Sequence, residues 1–197
     1  TTYKVTVTDG ITTCTDSVVV DVSSSELKVT DPVAVCSPAV VNLTAAAVTA
    51  GSATGLTYTY WKDANATQAL ANPDKVSVSG TYYIVGKSST GCTSAPTAVK
   101  VTVNPLPVIT GTLSACASGS SVNLTGNGTP ATSATWSAAN TSIATVTGTN
   151  SNTGVVTPGS TSGTTGITYT NNNGCKATVS FVVNALPTQY NVTGGGS

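Results

Sequence analysis

Residues 80–107 read GTYYIVGKSSTGCTSAPTAVKVTVNPLP, and the order of residue types in this stretch decides the fold. Tyr82, Tyr83, Ile84 and Val85 are aromatic and β-branched residues that suit a pleated, half-buried surface. Residues 87–91 gather turn formers, and Cys92 follows them. From Val99 the apolar residues Val99, Val101 and Val103 alternate with Lys100, Thr102 and Asn104, which is strand periodicity. Pro105 and Pro107 then stop the ladder, because proline has no N–H to donate and fixes its own φ. The stretch is a strand, a cysteine-bearing turn, a second strand and a stiff exit.

The same pattern is written twice more, as TYKVTVTDGITTCTDSVVVDV at 2–22 and GITYTNNNGCKATVSFVVNALP at 166–187. Asn104 and Asn184, Pro107 and Pro187, and Cys36 and Cys116 are each 80 residues apart. A second shared phrase, VNLT at 41–44 and 122–125, follows Cys36 and Cys116 in turn. A period near 80 predicts a tandem array. Residues 26–105 and 106–185 are two whole repeats, 1–25 is the C-terminal hairpin of a preceding repeat, and 186–197 begins the next. The chain is thus expected to be a cut from a longer fibre, with the joint at 104–107 short and stiff and the units end to end.

Only 7% of the residues are charged, seven lysines against seven acids with no arginine, so no basic face for nucleic acid exists. Serine and threonine supply nearly a third of the chain. On a sheet, threonine keeps the β-branched shape while offering a hydroxyl to water. No run of about 18 apolar residues is present.

Five cysteines without a histidine read as disulfides, which implies an oxidising, extracellular compartment. The period assigns partners within each repeat: Cys36–Cys92 and Cys116–Cys175, one bond per repeat. Cys14 stands at the turn position that Cys92 and Cys175 occupy, so its partner is expected upstream of the chain. Each bond would close a loop of nearly 60 residues, worth roughly 4 kcal/mol by chain entropy.

Further strands are expected at Val41–Thr44, 56–61 and Val76–Val78 in the first repeat. The second should hold them at Val122–Thr125, Ala134–Ser137, Ile143–Val146, Gly154–Thr157, Ile167–Thr170 and Thr178–Val183. Short strands with turns every 8–12 residues and no helical period predict an all-β class of tandem β-sandwiches. The orders Cys36–Trp61–Cys92 and Cys116–Trp136–Cys175 resemble those of immunoglobulin domains. Cys92, nine residues after Tyr83, lies in a turn rather than inside a strand, so its bond is expected to pin the domain's first segment to the last hairpin.

With GTYYIVG, GC and VKVTVNPLP in the first repeat, and TWSAANTSIATVTGTNSNTGVVTPG and TGITYTNNNGC in the second, the chain resembles the immunoglobulin-like repeats of giant surface adhesins of gliding Bacteroidota. The type is that of the SprB gliding-motility adhesin, a substrate of type 9 secretion. The second repeat is also similar to the bacterial Ig-like group 2 pattern. The resemblance implies a long filament on the outer membrane that binds an extracellular substratum or polysaccharide through other parts of the fibre. Its implied partners are neighbouring repeats and the type 9 secretion and gliding machinery.

Candidate chemistry is bounded by what is missing. Without histidine no histidine-based triad or general base can be assembled. The acids Asp9, Asp16, Asp21, Glu26, Asp31, Asp63 and Asp74 all precede residue 75, and the second repeat carries one charged side chain, Lys176. Paired-carboxylate catalysis is therefore excluded there. Asp63 and Asp74 read as turn residues rather than ligands, and neither enzyme activity nor a cofactor is expected. Asp16-Ser17-Val18 matches the Asp-Ser/Thr-apolar signal for O-glycosylation, placing a candidate sugar on Ser17. In LTYTYW at 56–61, parity sets Leu56, Tyr58 and Tyr60 on one face and Thr57, Thr59 and Trp61 on the other. With the tyrosines inward, Trp61 is free to stack on a sugar ring; with a bulge or a reversed face, it fills the core. The reading is a structural and adhesive repeat segment. The alternatives are a carbohydrate-binding accessory module of a secreted enzyme or a surface-layer lattice protein.

Overall fold

The computed structural model describes residues 2–8, 10–11, 13–19 and 26–187. The described chain is all-β and divides into two compact units. The first takes in the chain to Val35 together with Ala39–Val103, and the second takes Cys36–Pro38 and the chain from Asn104. Two strands precede the repeats: β1 (Thr2–Thr8) pairs antiparallel with β2 (Thr13–Val19), from Thr2 opposite Val19 to Thr8 opposite Thr13.

In the first repeat β3 (Val35–Cys36) runs beside β7 (Val103–Asn104). β4 (Thr57–Trp61), β5 (Gly80–Lys87) and β6 (Thr97–Val101) form an antiparallel three-stranded sheet. Between β6 and β7 the ladder breaks at Thr102. There Ser79 Oγ accepts from the Val103 N–H at 2.8 Å and donates to the Val103 carbonyl at 3.0 Å. The expected strands at 41–44 and 76–78 shrink to one reciprocal bridge between Val41 and Val76. The apolar burial survives nonetheless. Val41, Leu43, Val48, Val76, Ile84, Val99 and Val101 make the core, with Tyr58, Tyr60 and Tyr82 packed against it.

The second repeat has the fuller plan. β8 (Ile109–Gly111), β9 (Ser114–Cys116), β10 (Val122–Gly126) and β11 (Trp136–Ala138) are followed by β12 (Ala144–Thr147), β13 (Thr153–Pro158), β14 (Gly163–Thr170) and β15 (Lys176–Asn184). One sheet has the order β12-β13-β10-β8 and the other β11-β14-β15-β9. Lettered in chain order, with β9 set apart, these are D-E-B-A and C-F-G, the strand order of the immunoglobulin sandwich. β9 extends the second sheet by running parallel to β15. The fold is immunoglobulin-like, as the sequence predicts. β8 and β9 were not expected, since three residues are too few to display a period.

Alternation places Val122 and Leu124 of β10, Val156 of β13, Ile167 and Tyr169 of β14, and Phe181 and Val183 of β15 in the core of this unit. Each such side chain contributes roughly 1.5–3 kcal/mol on burial. Outward positions carry hydroxyls, and Thr168 and Thr178, directly opposite in register, hydrogen-bond to each other at 2.8 Å. The largest pieces are two aromatic rings. Trp136 and Tyr169 lie with centroids 4.8 Å apart and planes tilted by 55°. The Trp136 indole N–H donates to the Ser151 carbonyl at 3.0 Å, so its polar atom is satisfied on burial.

Both rings need glycine opposite them. A Cβ on Gly154 of β13 would lie 2.5 Å from the Trp136 ring, and one on Gly126 of β10 would lie 2.5 Å from the Tyr169 ring. Neither ring can retreat, because each is held between two sheets at close-packed density. Gly154→Ala is therefore expected to destabilise the second unit by about 1–3 kcal/mol or more through overpacking. Urea unfolding followed by tryptophan fluorescence measures it, and an unchanged midpoint would contradict the fit of ring to glycine.

Candidate functional site

Three features of the sequence point to possible function: the cysteines, Trp61 with its sheet face, and the exposed Ser17. The turn cysteines share one local design. In the second unit Asn171 Oδ1 accepts from the N–H groups of Asn173 at 3.1 Å and Cys175 at 3.0 Å. The Asn171 N–H in turn donates to the Cys175 carbonyl. In the first unit Ser88 Oγ accepts from the Cys92 N–H at 3.1 Å, and the Ser88 N–H donates to the Cys92 carbonyl. Gly174 (φ +76°) and Gly91 (φ +92°) supply the left-handed residue just before each cysteine. A polar side chain four residues before the cysteine thus closes both turns. Sequence reasoning located the turns but missed Ser88 and Asn171, whose signal was their fixed spacing ahead of Gly-Cys.

The structure joins Cys36 to Cys175, with Cα atoms 5.6 Å apart. This replaces the expected Cys36–Cys92 and Cys116–Cys175 pairs, and one disulfide per repeat is corrected accordingly. The physical reason lies in the path of the chain just after Cys36. The Ser37 N–H donates to the Asn104 carbonyl at 2.9 Å, so the chain after β3 follows the end of β7, and Cys36–Pro38 belong to the second unit. Assigning partners by period took each cysteine to belong to the repeat in which it is written. Cys116 is an exposed free thiol at the end of β9, opposite Asn184. Cys92 is exposed in its turn. The side chain of Cys14, expected to pair upstream, lies outside the described residues, as do residues 188–197 of the expected next repeat.

On β4 the parity reading holds. Tyr58 and Tyr60 turn to the core, while Trp61 is half-buried on the opposite face with exposed Thr57 and Thr59. The indole N–H of Trp61 donates to Thr59 Oγ1 at 3.0 Å, and the register sets Tyr83 of β5 directly across from Trp61. Ser17 is exposed on β2, and its N–H donates to Asp16 Oδ1 at 2.8 Å.

Asp63 is a turn residue. Its carboxylate accepts from the N–H of Gln68 at 2.7 Å, from the N–H of Thr67 at 3.1 Å and from the Thr67 hydroxyl at 2.9 Å. These bonds, led by the one from Gln68, hold its acidity below the usual carboxylate range. Among the described residues no cluster of His, Cys, Asp and Glu could hold a metal.

Neither a protein-family model nor a curated protein matches the sequence. Solved structures similar to the chain include the eight N-terminal Ig domains of Down syndrome cell adhesion molecule, at 13% identity and a TM-score of 0.47, over 93% of this chain and 27% of that one. The C-terminal fragment of intimin, bound to the translocated intimin receptor, is 18% identical with a TM-score of 0.37, over 93% and 57%. The insect immune protein hemolin is 16% identical with a TM-score of 0.38, over 94% and 56%. The chain spans between about a quarter and just over half of the length of these proteins. The fold assignment rests on strand order.

Two measurements check the site. A peptide map under non-reducing conditions should place Cys36 and Cys175 in one linked peptide, while a thiol reagent labels Cys116 in the folded protein; linkage of Cys36 to Cys92 would refute this. The second concerns acid. A carboxylate whose folded pKa is depressed contributes stability that is present above its unfolded pKa and lost as pH falls through its folded pKa. The first unit should therefore lose stability below the ordinary aspartate range, and Asp63→Ala should lessen that slope in acid unfolding titrations.

Proposed function

We propose that the chain is a structural and adhesive repeat segment of a long extracellular filament. The observation that carries this is the recurrence, at a period near 80, of one strand-turn-strand plan and of VNLT phrases whose Leu43 and Leu124 are both fully buried. Repetition of a self-contained core unit extends a chain without requiring new chemistry in each unit. The domain limits 26–105 and 106–185, flanked by parts of further repeats, belong to this proposal. A disulfide supports an oxidising, extracellular setting. Attachment to a bacterial outer membrane, type 9 secretion and service in gliding motility rest on the sequence resemblance. In this reading, neighbouring repeats are the chain's immediate partners, and Ser17 is a site for an O-linked sugar.

The accessory-module alternative draws on Trp61, whose ring shares an outward face with Tyr83. Fab fragments raised against this chain test the filament reading. They should label intact source cells and lower the shear needed to detach them. Labelling that needs permeabilised cells, or labelling without any change in attachment, would overturn it.

A further inference from the structure

The first unit is irregular on a side where the second continues its sheet. In the second unit β12 and β13 form continuous ladders beside β10. In the first, the corresponding side is the single Val41–Val76 bridge, and the chain between β4 and Val76 is loop. The result is a cleft of about 490 Å³ at the mouth of the core. This is within the size range of small-ligand sites. Buried Val76 lines it beside half-buried Leu70 and Tyr82, with Val78 exposed nearby and Lys62 and Lys75 among the residues around it.

Its frame is fixed by hydrogen bonds. The Tyr82 hydroxyl donates to the Val78 carbonyl at 3.0 Å. The Leu43 N–H donates to the Pro73 carbonyl at 2.7 Å, and the Lys75 N–H to the Asn72 carbonyl at 3.1 Å. Asp63 spends its carboxylate on the turn that follows Lys62. Among the described residues the ion pair is Lys28 with Glu26, and neither Lys62 nor Lys75 forms one; Asp74 adjoins Lys75 in sequence without a salt bridge to it. Lys62 and Lys75 therefore line the cleft without a salt bridge among the described residues, together with the polar residues Asn72, Ser77 and Thr81.

We propose that this cleft binds an acidic sugar, a pyranose ring carrying an anionic group, which goes beyond the filament reading. The anion is held between Lys62 and Lys75, the apolar ring face lies on Leu70, Val78 and Tyr82, and the ring hydroxyls meet Asn72, Ser77 and Thr81. An acidic peptide would share the charge but fits less well. Peptides gain affinity by adding a strand to a free sheet edge. Here the nearby edge of β4 is already taken, because the Lys62 N–H donates to the Gln68 carbonyl and the Leu70 N–H to the Tyr60 carbonyl.

The test is a titration of the 197-residue chain, followed by amide chemical shifts, with four probes: trigalacturonate, a sulfated galactose trisaccharide, galactotriose and tetraglutamate. Saturable binding of either acidic sugar is expected, with shifts centred on Leu70, Val76 and Val78 and at least tenfold weaker binding of galactotriose and tetraglutamate. Which acidic sugar binds more tightly tells carboxylate from sulfate recognition. The variant with both Lys62→Gln and Lys75→Gln should bind at least tenfold more weakly, while one with Lys87→Gln and Lys100→Gln, which loses the same charge elsewhere, should match the parent. All four lysines are exposed, and an unchanged thermal midpoint confirms that each variant folds. No saturable binding of either acidic sugar, equal binding by tetraglutamate or galactotriose, equal loss in both variants, or shifts centred on Trp61 would each overturn the proposal.

Discussion

Two sheets facing each other leave a gap of roughly 10 Å that side chains from both must fill. The two units meet this constraint differently, and much of what distinguishes them follows from that. The second unit fills it with Trp136 and Tyr169, each ring seated against a glycine on the opposing sheet. Antibody domains pin strands B and F with a disulfide and pack a strand C tryptophan against it. Here Gly126 on B and Tyr169 on F meet instead, and the strand C tryptophan packs on the tyrosine. The first unit supplies its aromatics from β4 and β5 and opposes them with Val41, Leu43, Val48 and Val76, which come from loops and a single bridge. Aliphatic side chains on irregular backbone can close a core without forming a full sheet. They do so here, and the end they leave uncovered is the cleft beside Lys62 and Lys75.

The disulfide adds a constraint of another kind. A bond between residues 139 apart in sequence removes more freedom from the unfolded chain than one closing within a repeat, about 5 kcal/mol against about 4 in the chain-entropy treatment. The gain grows only with the logarithm of loop length. What changes more is which segments are tied. Cys36 precedes the first VNLT phrase yet belongs with the second unit, where its partner Cys175 is almost wholly buried behind the Asn171 turn. A boundary drawn by sequence repetition and one drawn by contact need not coincide, because repetition records where a pattern is written and contact records where it packs.

The sequence displayed the features that depend on neighbouring residues. Alternation at 99–103 and 178–183, the paired turns before Cys92 and Cys175, and the division of LTYTYW into a tyrosine face and a Trp61 face can all be read locally, because strand parity is a local property. What could not be read depends on partners distant in sequence. The short β8 and β9 exist because β10 and β15 offer them edges. Val76–Val78 looks like a strand but has one bridging residue across from it. Gly126 and Gly154 sit within ordinary strand patterns, and only the rings opposite reveal why no side chain fits there. The cleft is of this kind as well, since Lys62, Leu70 and Lys75 come from the chain between β4 and β5, and Tyr82 from β5 itself.

Charge distribution carries the last step. From residue 75 onward the chain has no acid, and the second repeat bears Lys176 alone, so that unit meets water almost entirely through hydroxyls and amides. Such a surface has little long-range field to steer a charged partner. The first repeat keeps five lysines against Glu26, Asp31, Asp63 and Asp74. Two of those acids are occupied by backbone N–H groups, Asp31 by Lys100 and Asp63 by Thr67 and Gln68. Glu26 is paired with Lys28. Among the described residues none of these acids forms a salt bridge with Lys62 or Lys75. In a chain this poor in charge, the first repeat brings Lys62 and Lys75 to the lining of the same cleft as Leu70, Val76 and Tyr82.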